Sequence, residues 1–176
     1  MFFSQVPEEQ SYVVRTINLP QEAKIPDYCA VATVIGPTRS FFEPEIAAIE
    51  SFLKAGGRAL FAVSFEVKSG DSPEFLALLG RWGIKAANAL VVDPLSRMLG
   101  VDAAVPILAQ YAKDHAVTKE FEENSYFPFT RPLETSSVQG LKAEWLAKTT
   151  PKSWGETNIS DLGKGAVKMD SGDITG

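Results

Sequence analysis

The stretch from Tyr28 to Phe65 constrains the fold most, because it reads as a strand, a helix and a strand in succession. Its first part, Tyr28–Ile35, is apolar and rich in β-branched residues, and Gly36-Pro37 ends it. Such a run predicts a strand that is buried on both faces. Its last part, Ala59–Val63, predicts a second buried strand.

The segment between these strands has the pattern of an amphipathic helix. Its apolar residues recur at helical spacing, at Ile46, Ile49, Phe52 and Leu53. Acidic Glu43 and Glu45 suit the positive end of the helix dipole at its start. Gly56-Gly57 suits a helix end that requires positive φ. The whole stretch therefore predicts a βαβ unit, whose crossover is expected to be right-handed.

A second helix and strand follow and extend this alternation. Ser72-Pro73 suits a helix start, and Gly83 follows the apolar face that Phe75, Leu78 and Leu79 begin. Ala89–Val92 then predicts another strand, which Asp93-Pro94 ends. Alternating strands and helices predict one α/β domain over residues 1–176, with a mostly parallel central sheet and helices on both faces.

Charge and composition narrow the classes of partner and cofactor. The chain is 45% hydrophobic and 22% charged, as in globular proteins, and its net charge is −5. Nucleic acid and anionic membrane surfaces both attract basic patches, so neither is expected as a partner. With one histidine and one cysteine, the chain offers neither a His pair nor a Cys cluster for a metal, and no cofactor is predicted.

Residues 27–63, DYCAVATVIGPTRSFFEPEIAAIESFLKAGGRALFAV, resemble the soluble domain of ABC-transporter auxiliary proteins of the gliding-motility GldG type. Further segments continue the likeness: His115-Ala116-Val117-Thr118, where Ala116 replaces a proline of the family; Phe127-Pro128-Phe129-Thr130-Arg131-Pro132-Leu133; and Thr149–Glu156. The resemblance implies a flavodoxin-like fold, similar to that of class I glutamine amidotransferases.

The same resemblance implies a non-catalytic soluble domain that binds a partner or ligand. It would lie on the periplasmic or extracytoplasmic face of a bacterial membrane, as a fragment of a longer membrane-anchored protein. Its partners would be the permease and ATPase subunits of an ABC-type transporter, or a related auxiliary protein. Two alternatives stay open: a small-molecule hydrolase or amidotransferase-like enzyme that uses His115, and a carbohydrate- or peptide-binding module.

Two sets of residues are candidates for ligand or partner binding. His115, Thr118 and Arg131 lie on segments that follow the last clear strand and helix, and we expect them to form one polar cluster. Gly36 and Pro37 lie between a strand and a helix, where phosphate-binding loops occur. The P-loop lysine is missing there, so ATP hydrolysis is not expected.

Neither Cys29 nor the acidic residues near the end of the sequence is interpreted as a functional site. Cys29 begins the first strand, far from any sharp strand-to-helix turn, and is expected to be a small buried apolar residue. Asp170–Gly176 lacks the spacing of a calcium-binding loop and predicts a loose tail. The sequence therefore nominates no catalytic residue and no metal site.

Overall fold

In a computed structural model of the chain, the described residues are 12–37, 39–65, 72–158 and 167–175. The chain divides into two compact units, one made of Met1–Thr33 and Phe42–Leu60 and the other of Val34–Phe41 and Phe61–Gly176. The expectation of a single domain over residues 1–176 stays a prediction.

The described residues form short helices and shorter strands. The helices are α1 (Leu19–Glu22), α2 (Glu43–Lys54), α3 (Pro73–Arg81) and α4 (Pro94–Met98). The strands are β1 (Val31–Ile35), β2 (Arg58–Ala62), β3 (Ile84–Ala86), β4 (Leu90–Val92), β5 (Ile107–Tyr111), β6 (Ser125–Tyr126), β7 (Leu133–Thr135), β8 (Ala147–Thr149), β9 (Trp154–Glu156) and β10 (Ile174–Thr175). Within these ranges, no helix has the length and apolarity that crossing a bilayer requires.

Helix α2 of the first unit confirms the helix predicted there. Its start is capped by Glu45, whose carboxylate accepts the backbone N–H of Phe42 at 2.9 Å. Ile46 and Ile49 are buried as predicted, whereas Phe52 is only half-buried. Gly56 follows the helix with φ +90°, a conformation that favours glycine.

Strands β1 and β2 occupy the predicted positions and pair in a two-stranded sheet. The prediction that both are buried on two faces is wrong, because exposed and half-buried residues alternate along each strand. Val31, Ile35 and Leu60 are all 46–49% exposed. The apolar runs that suggested double burial therefore leave one set of side chains in solvent.

The core of the second unit is built from α3 and β4. The predicted apolar face of α3 is confirmed, since Phe75, Leu78 and Leu79 are buried. The ring of Phe75 lies 5.2 Å from the rings of Phe41 and Phe61, close enough for favourable aromatic packing. All three residues of β4 are buried, which fits its continuous apolar sequence.

The predicted mostly parallel central sheet with helices on both faces is wrong. The sheets are small, and the pairs β3–β7, β4–β9, β9–β10, β5–β6 and β5–β8 are all antiparallel. Parallel neighbours need a crossover of a dozen or more residues, usually a helix. After β4 the described chain has only the five-residue helix α4, so its later strands pair antiparallel.

Residues 167–175 pack within the second unit, which corrects the expectation of a loose tail. Strand β10 pairs antiparallel with β9, with Ile174 opposite Gly155. Val167 packs against a buried cluster of Val92, Ala103 and Trp154. The family-like segment at Thr149–Glu156 thus provides the central strand of the sheet β4–β9–β10.

Gly155 permits a close approach of three segments in this sheet. A Cβ atom on Gly155 would lie 2.6 Å from Cγ of Pro132, 3.2 Å from Cβ of Ile174 and 3.4 Å from Cβ of Ala89. The first distance is shorter than van der Waals contact allows, and a proline ring cannot rotate away. The packing of β9 therefore requires glycine at this position.

We expect Gly155→Ala to lower the free energy of unfolding by about 1–3 kcal/mol, because it overpacks a buried site. Gly80→Ala in α3 is the matched control, since a Cβ there meets nothing within 4 Å. That change should raise stability by about 0.5–1 kcal/mol, as alanine favours helices over glycine. Urea denaturation measures both; equal midpoints for the two variants would contradict the close packing.

Candidate functional site

The turn that carries His115 and Thr118 forms hydrogen bonds within itself. Nδ1 of His115 accepts the backbone N–H of Val117 at 3.2 Å. The buried Thr118 hydroxyl donates to the carbonyl of Ala112 at 2.6 Å, and the Thr118 N–H donates to the carbonyl of His115 at 3.0 Å. Two of the three residues of the predicted polar cluster therefore lie in one turn.

This arrangement limits what His115 can do chemically. Because Nδ1 accepts a hydrogen bond, the neutral ring carries its proton on Nε2. Among the described residues, the bond from Val117 is the only hydrogen bond to the imidazole. A histidine that activates a nucleophilic side chain has that hydroxyl or thiol within hydrogen-bond reach. The geometry suits a residue that fixes its own loop.

Arg131 lies on a different segment, against the ring of Phe65. Its guanidinium carbon is 5.8 Å from the ring centroid, within range of a cation–π interaction, and the residue is buried. Its neighbours hold it in place: Thr130 accepts the N–H of Val91 at 2.9 Å, and Pro132 accepts that of Ala87 at 3.0 Å. The convergence of His115, Thr118 and Arg131 on one site stays a prediction.

Gly36 and Pro37 follow β1 as predicted, in a geometry unlike that of a phosphate loop. Gly36 adopts φ +51°, and its N–H donates to the carbonyl of Ala62 at 3.0 Å. Pro37 has no N–H. Backbone N–H groups bind phosphate in such loops, and this pair offers none to a ligand. Thr38 lies outside the described residues.

A groove in the first unit is a feature that the sequence interpretation missed. Its volume is about 900 Å³, and it runs along α2. The lining residues are mostly small: Ala23, Lys24, Ile25, Asp27, Cys29, Ala30, Pro44, Ala47, Ala48, Ser51, Phe52, Ala55, Gly56, Gly57 and Arg58. One feature of the sequence could have indicated this groove: α2 carries a second set of small residues beside the apolar face that its periodicity predicts.

Three of the polar side chains that line the groove have partners nearby. Lys24 and Asp27 form an exposed ion pair at 3.3 Å. Cys29 precedes β1, and its thiol donates to the carbonyl of Val31 at 3.4 Å. The residue is half-buried, so the expectation of a thiol buried within a strand is wrong. In the described ranges, no group of three or more His, Cys, Asp or Glu side chains could hold a metal ion.

Asp173 organises the last part of the chain. Its carboxylate accepts the N–H groups of Asp170 at 2.8 Å and Thr157 at 3.0 Å, and the Thr157 hydroxyl at 3.4 Å. Partial burial alone would raise the pKa of Asp173, but these hydrogen bonds outweigh it and hold the pKa below its ordinary value of 3.8. The ionised carboxylate therefore ties β10 to the residue after β9.

Comparison with known proteins establishes the family of the chain. Residues 2–163 match a protein family of auxiliary proteins described as an ABC-type uncharacterized transport system. The chain therefore belongs to this auxiliary family of ABC-type transport systems. The narrower likeness to the gliding-motility GldG type stays a prediction. Among curated proteins, none matches the chain.

A solved structure of the mmIFT52 N-terminal domain is similar in fold. The similarity covers 86% of this chain and 66% of the length of that chain, with a TM-score of 0.62 and 15% sequence identity. At this identity the likeness concerns the fold alone. The predicted flavodoxin-like or amidotransferase-like parallel sheet is corrected by the small antiparallel sheets described above.

We expect Thr118→Val to lower the free energy of unfolding by about 1–3 kcal/mol, because the carbonyl of Ala112 would lose its donor in a buried setting. Thr135→Val, at an exposed position on β7, is the matched control and should change stability little. Thermal unfolding of both variants measures the difference. A Thr118→Val protein as stable as the control would show that this hydrogen bond is dispensable.

The bonds to Asp173 predict a pH-dependent contribution to stability. Because its folded-state pKa is lowered, the contribution is fully present above the unfolded pKa and is lost as pH falls through the folded value, below 3.8. Asp173→Asn should therefore be less stable than the wild type at pH 6, and the gap should close at strongly acidic pH. A gap in unfolding free energy that stays constant down to pH 2.5 would contradict this assignment.

Proposed function

We propose that this chain is a non-catalytic binding domain that attaches to other subunits of an ABC-type transport system. Transport energy would come from a separate ATPase chain, since the N–H of Gly36 is engaged and Pro37 has none. The domain would act on the extracytoplasmic face of a bacterial membrane, held by segments beyond this chain, as in the GldG type.

The observation that carries the binding role is the set of large apolar side chains that the second unit leaves in solvent. Many are more than 45% exposed: Met98, Leu99, Val117, Tyr126, Phe127, Phe129, Leu133, Trp145 and Met169. Single exposed apolar residues are ordinary, but extended exposed apolar surface marks sites of protein interaction. A domain whose work is binding accounts for the number of these exposed side chains.

The hydrogen bonds around His115 favour binding over the enzymatic alternative. A hydrolase or amidotransferase-like enzyme would need this histidine to face a nucleophile, because the chain has no other histidine. Its Nδ1 instead accepts from the backbone of its own turn. This bond supports a structural role for the loop and leaves the surface as the functional feature.

Co-purification tests the proposed function. The full-length protein is expressed with the ATPase and permease subunits that neighbour it in its genome, and the complex is isolated through a tag on the permease. We expect the auxiliary protein to be retained at a fixed stoichiometry and to hydrolyse no ATP by itself. Failure to co-purify, with folded protein in the unbound fraction, would overturn the proposal.

Cysteine labelling in intact cells tests the proposed location. Cys29 is the only cysteine of this sequence, so a Cys29→Ser background carrying Ser137→Cys gives this domain a single thiol, at an exposed position. A maleimide that cannot cross membranes should label this thiol without lysis if the domain is extracytoplasmic. Labelling that requires lysis would place the domain in the cytoplasm.

A further inference from the structure

One stretch of the first unit has the sequence of a strand but belongs to no strand. Residues 12–17, called here the unpaired segment, read YVVRTI, in which most residues favour strands and neither Gly nor Pro occurs. Their backbone N–H and C=O groups form no hydrogen bond within the described part of the chain. These groups are therefore available to a partner.

The apolar side chains of the unpaired segment are largely exposed. Tyr12 is 64% exposed, Val13 80% and Val14 46%. The guanidinium carbon of Arg15 lies 4.9 Å from the centre of the Tyr28 ring, so this part of the segment lies beside residues that precede β1. Short apolar segments with strand-forming residues and free backbone groups pair with the exposed sheet edges of other chains.

Strand β1 has an open edge of the kind that such a segment requires. Among the described strands β1 pairs with β2 alone, so its other edge carries no strand. The N–H of Gly36, directly after β1, donates to Ala62 in β2. Because backbone groups alternate in direction along a strand, those of Val31 and Thr33 point away from β2. In agreement with this, the carbonyl of Val31 accepts the Cys29 thiol.

We propose that two copies of this chain exchange their unpaired segments, each segment adding to the open edge of β1 in the other copy. Donor and acceptor belong to one chain, so the exchange is reciprocal and closes with twofold symmetry. Each two-stranded sheet gains a third strand, and sheets of three strands are more stable than sheets of two. The inference goes beyond the proposed function, because it requires no other subunit.

A second copy is the partner that satisfies both halves of the contact. The segment and the open edge occur in equal number, and a different protein that used one of them would leave the other without a partner. Within one copy the two are not joined, because the backbone of the segment forms no hydrogen bond to β1 or to any other described residue.

Disulfide crosslinking between two single-cysteine variants tests the exchange. Cysteine-free full-length protein receives either Thr33→Cys, in the middle of β1, or one of Val13→Cys and Val14→Cys in the unpaired segment. Both valines are used, because neighbouring residues of a strand face opposite sides. A mixture of the Thr33→Cys protein with one of these two should give a disulfide-linked dimer on mild oxidation. Ser137→Cys, also at an exposed position, replaces Thr33→Cys in the control mixture and should give none.

Two results of the crosslinking would overturn the exchange. The first is a mixture that crosslinks no better than the control for either valine. The second is a protein carrying both cysteines in one copy that forms the disulfide only within itself, because the segment would then pair with its own β1.

Proline in the unpaired segment separates pairing from folding. Val13→Pro and Val14→Pro each remove one N–H but no hydrogen bond of the copy that carries them, so the unfolding midpoint should not change. Alternate residues face the partner, so one of the two should raise the dissociation constant of the dimer about tenfold or more, measured by analytical ultracentrifugation of the full-length protein. Val14→Thr keeps the N–H and favours strands, and it should associate like the wild type.

Equal dissociation constants for the wild type and both proline variants would overturn the exchange, as would a wild-type protein that stays monomeric at every concentration measured. Co-purification with the transporter subunits tests the proposed function separately. The exchange can therefore fail while the proposed function stands.

Discussion

The second unit depends on one extended backbone segment, residues 125–135, which hydrogen-bonds in turn to several distant parts of the chain. It pairs with residues 104–108, then with residues 64–65, then with residues 87–91, and finally with β3. Buried backbone N–H and C=O groups must find partners, so each of these pairings satisfies two segments at once.

This dependence explains the positions of the least exchangeable residues. Pro132 lies where the extended segment passes β9, and its ring takes the space beside the bare Cα of Gly155. Arg131 is buried one residue earlier, over the ring of Phe65. The glycine at position 155 therefore follows from this close crossing, because a bulkier side chain there would push apart segments that share hydrogen bonds.

The first half of the chain could be predicted from the sequence because its signals are local. Helix α2 needed only apolar periodicity and a terminal glycine, and α3 needed a proline start and an apolar face. The second half could not, because β6, β7, β9 and β10 are two or three residues long and have no periodicity of their own. Their pairing is decided by partners that are distant in sequence. The alternation of strands and helices in the first half of the chain therefore did not continue as a parallel sheet.

The candidate site was predicted in part for the same reason. The sequence indicated that His115 and Thr118 belong to one loop, since four consecutive residues must stay together, but the partner of Arg131 depends on tertiary packing. Sequence alone also missed that Phe129 is turned outward, because no pattern predicts a left-handed phenylalanine. The exposed aromatic residues were noticed as a family-like motif and not as a surface.

The distribution of polar and apolar groups in the second unit argues for binding. Two buried polar side chains hold the fold: Thr118 donates to a carbonyl, and Asp93, which is fully buried, caps α4 and accepts the Thr150 hydroxyl at 2.9 Å. The side chains of Tyr126, Phe127 and Phe129 are instead about half exposed. Enzyme sites direct polar groups into a cleft, whereas these two side chains hold the fold, and this supports the binding role proposed above.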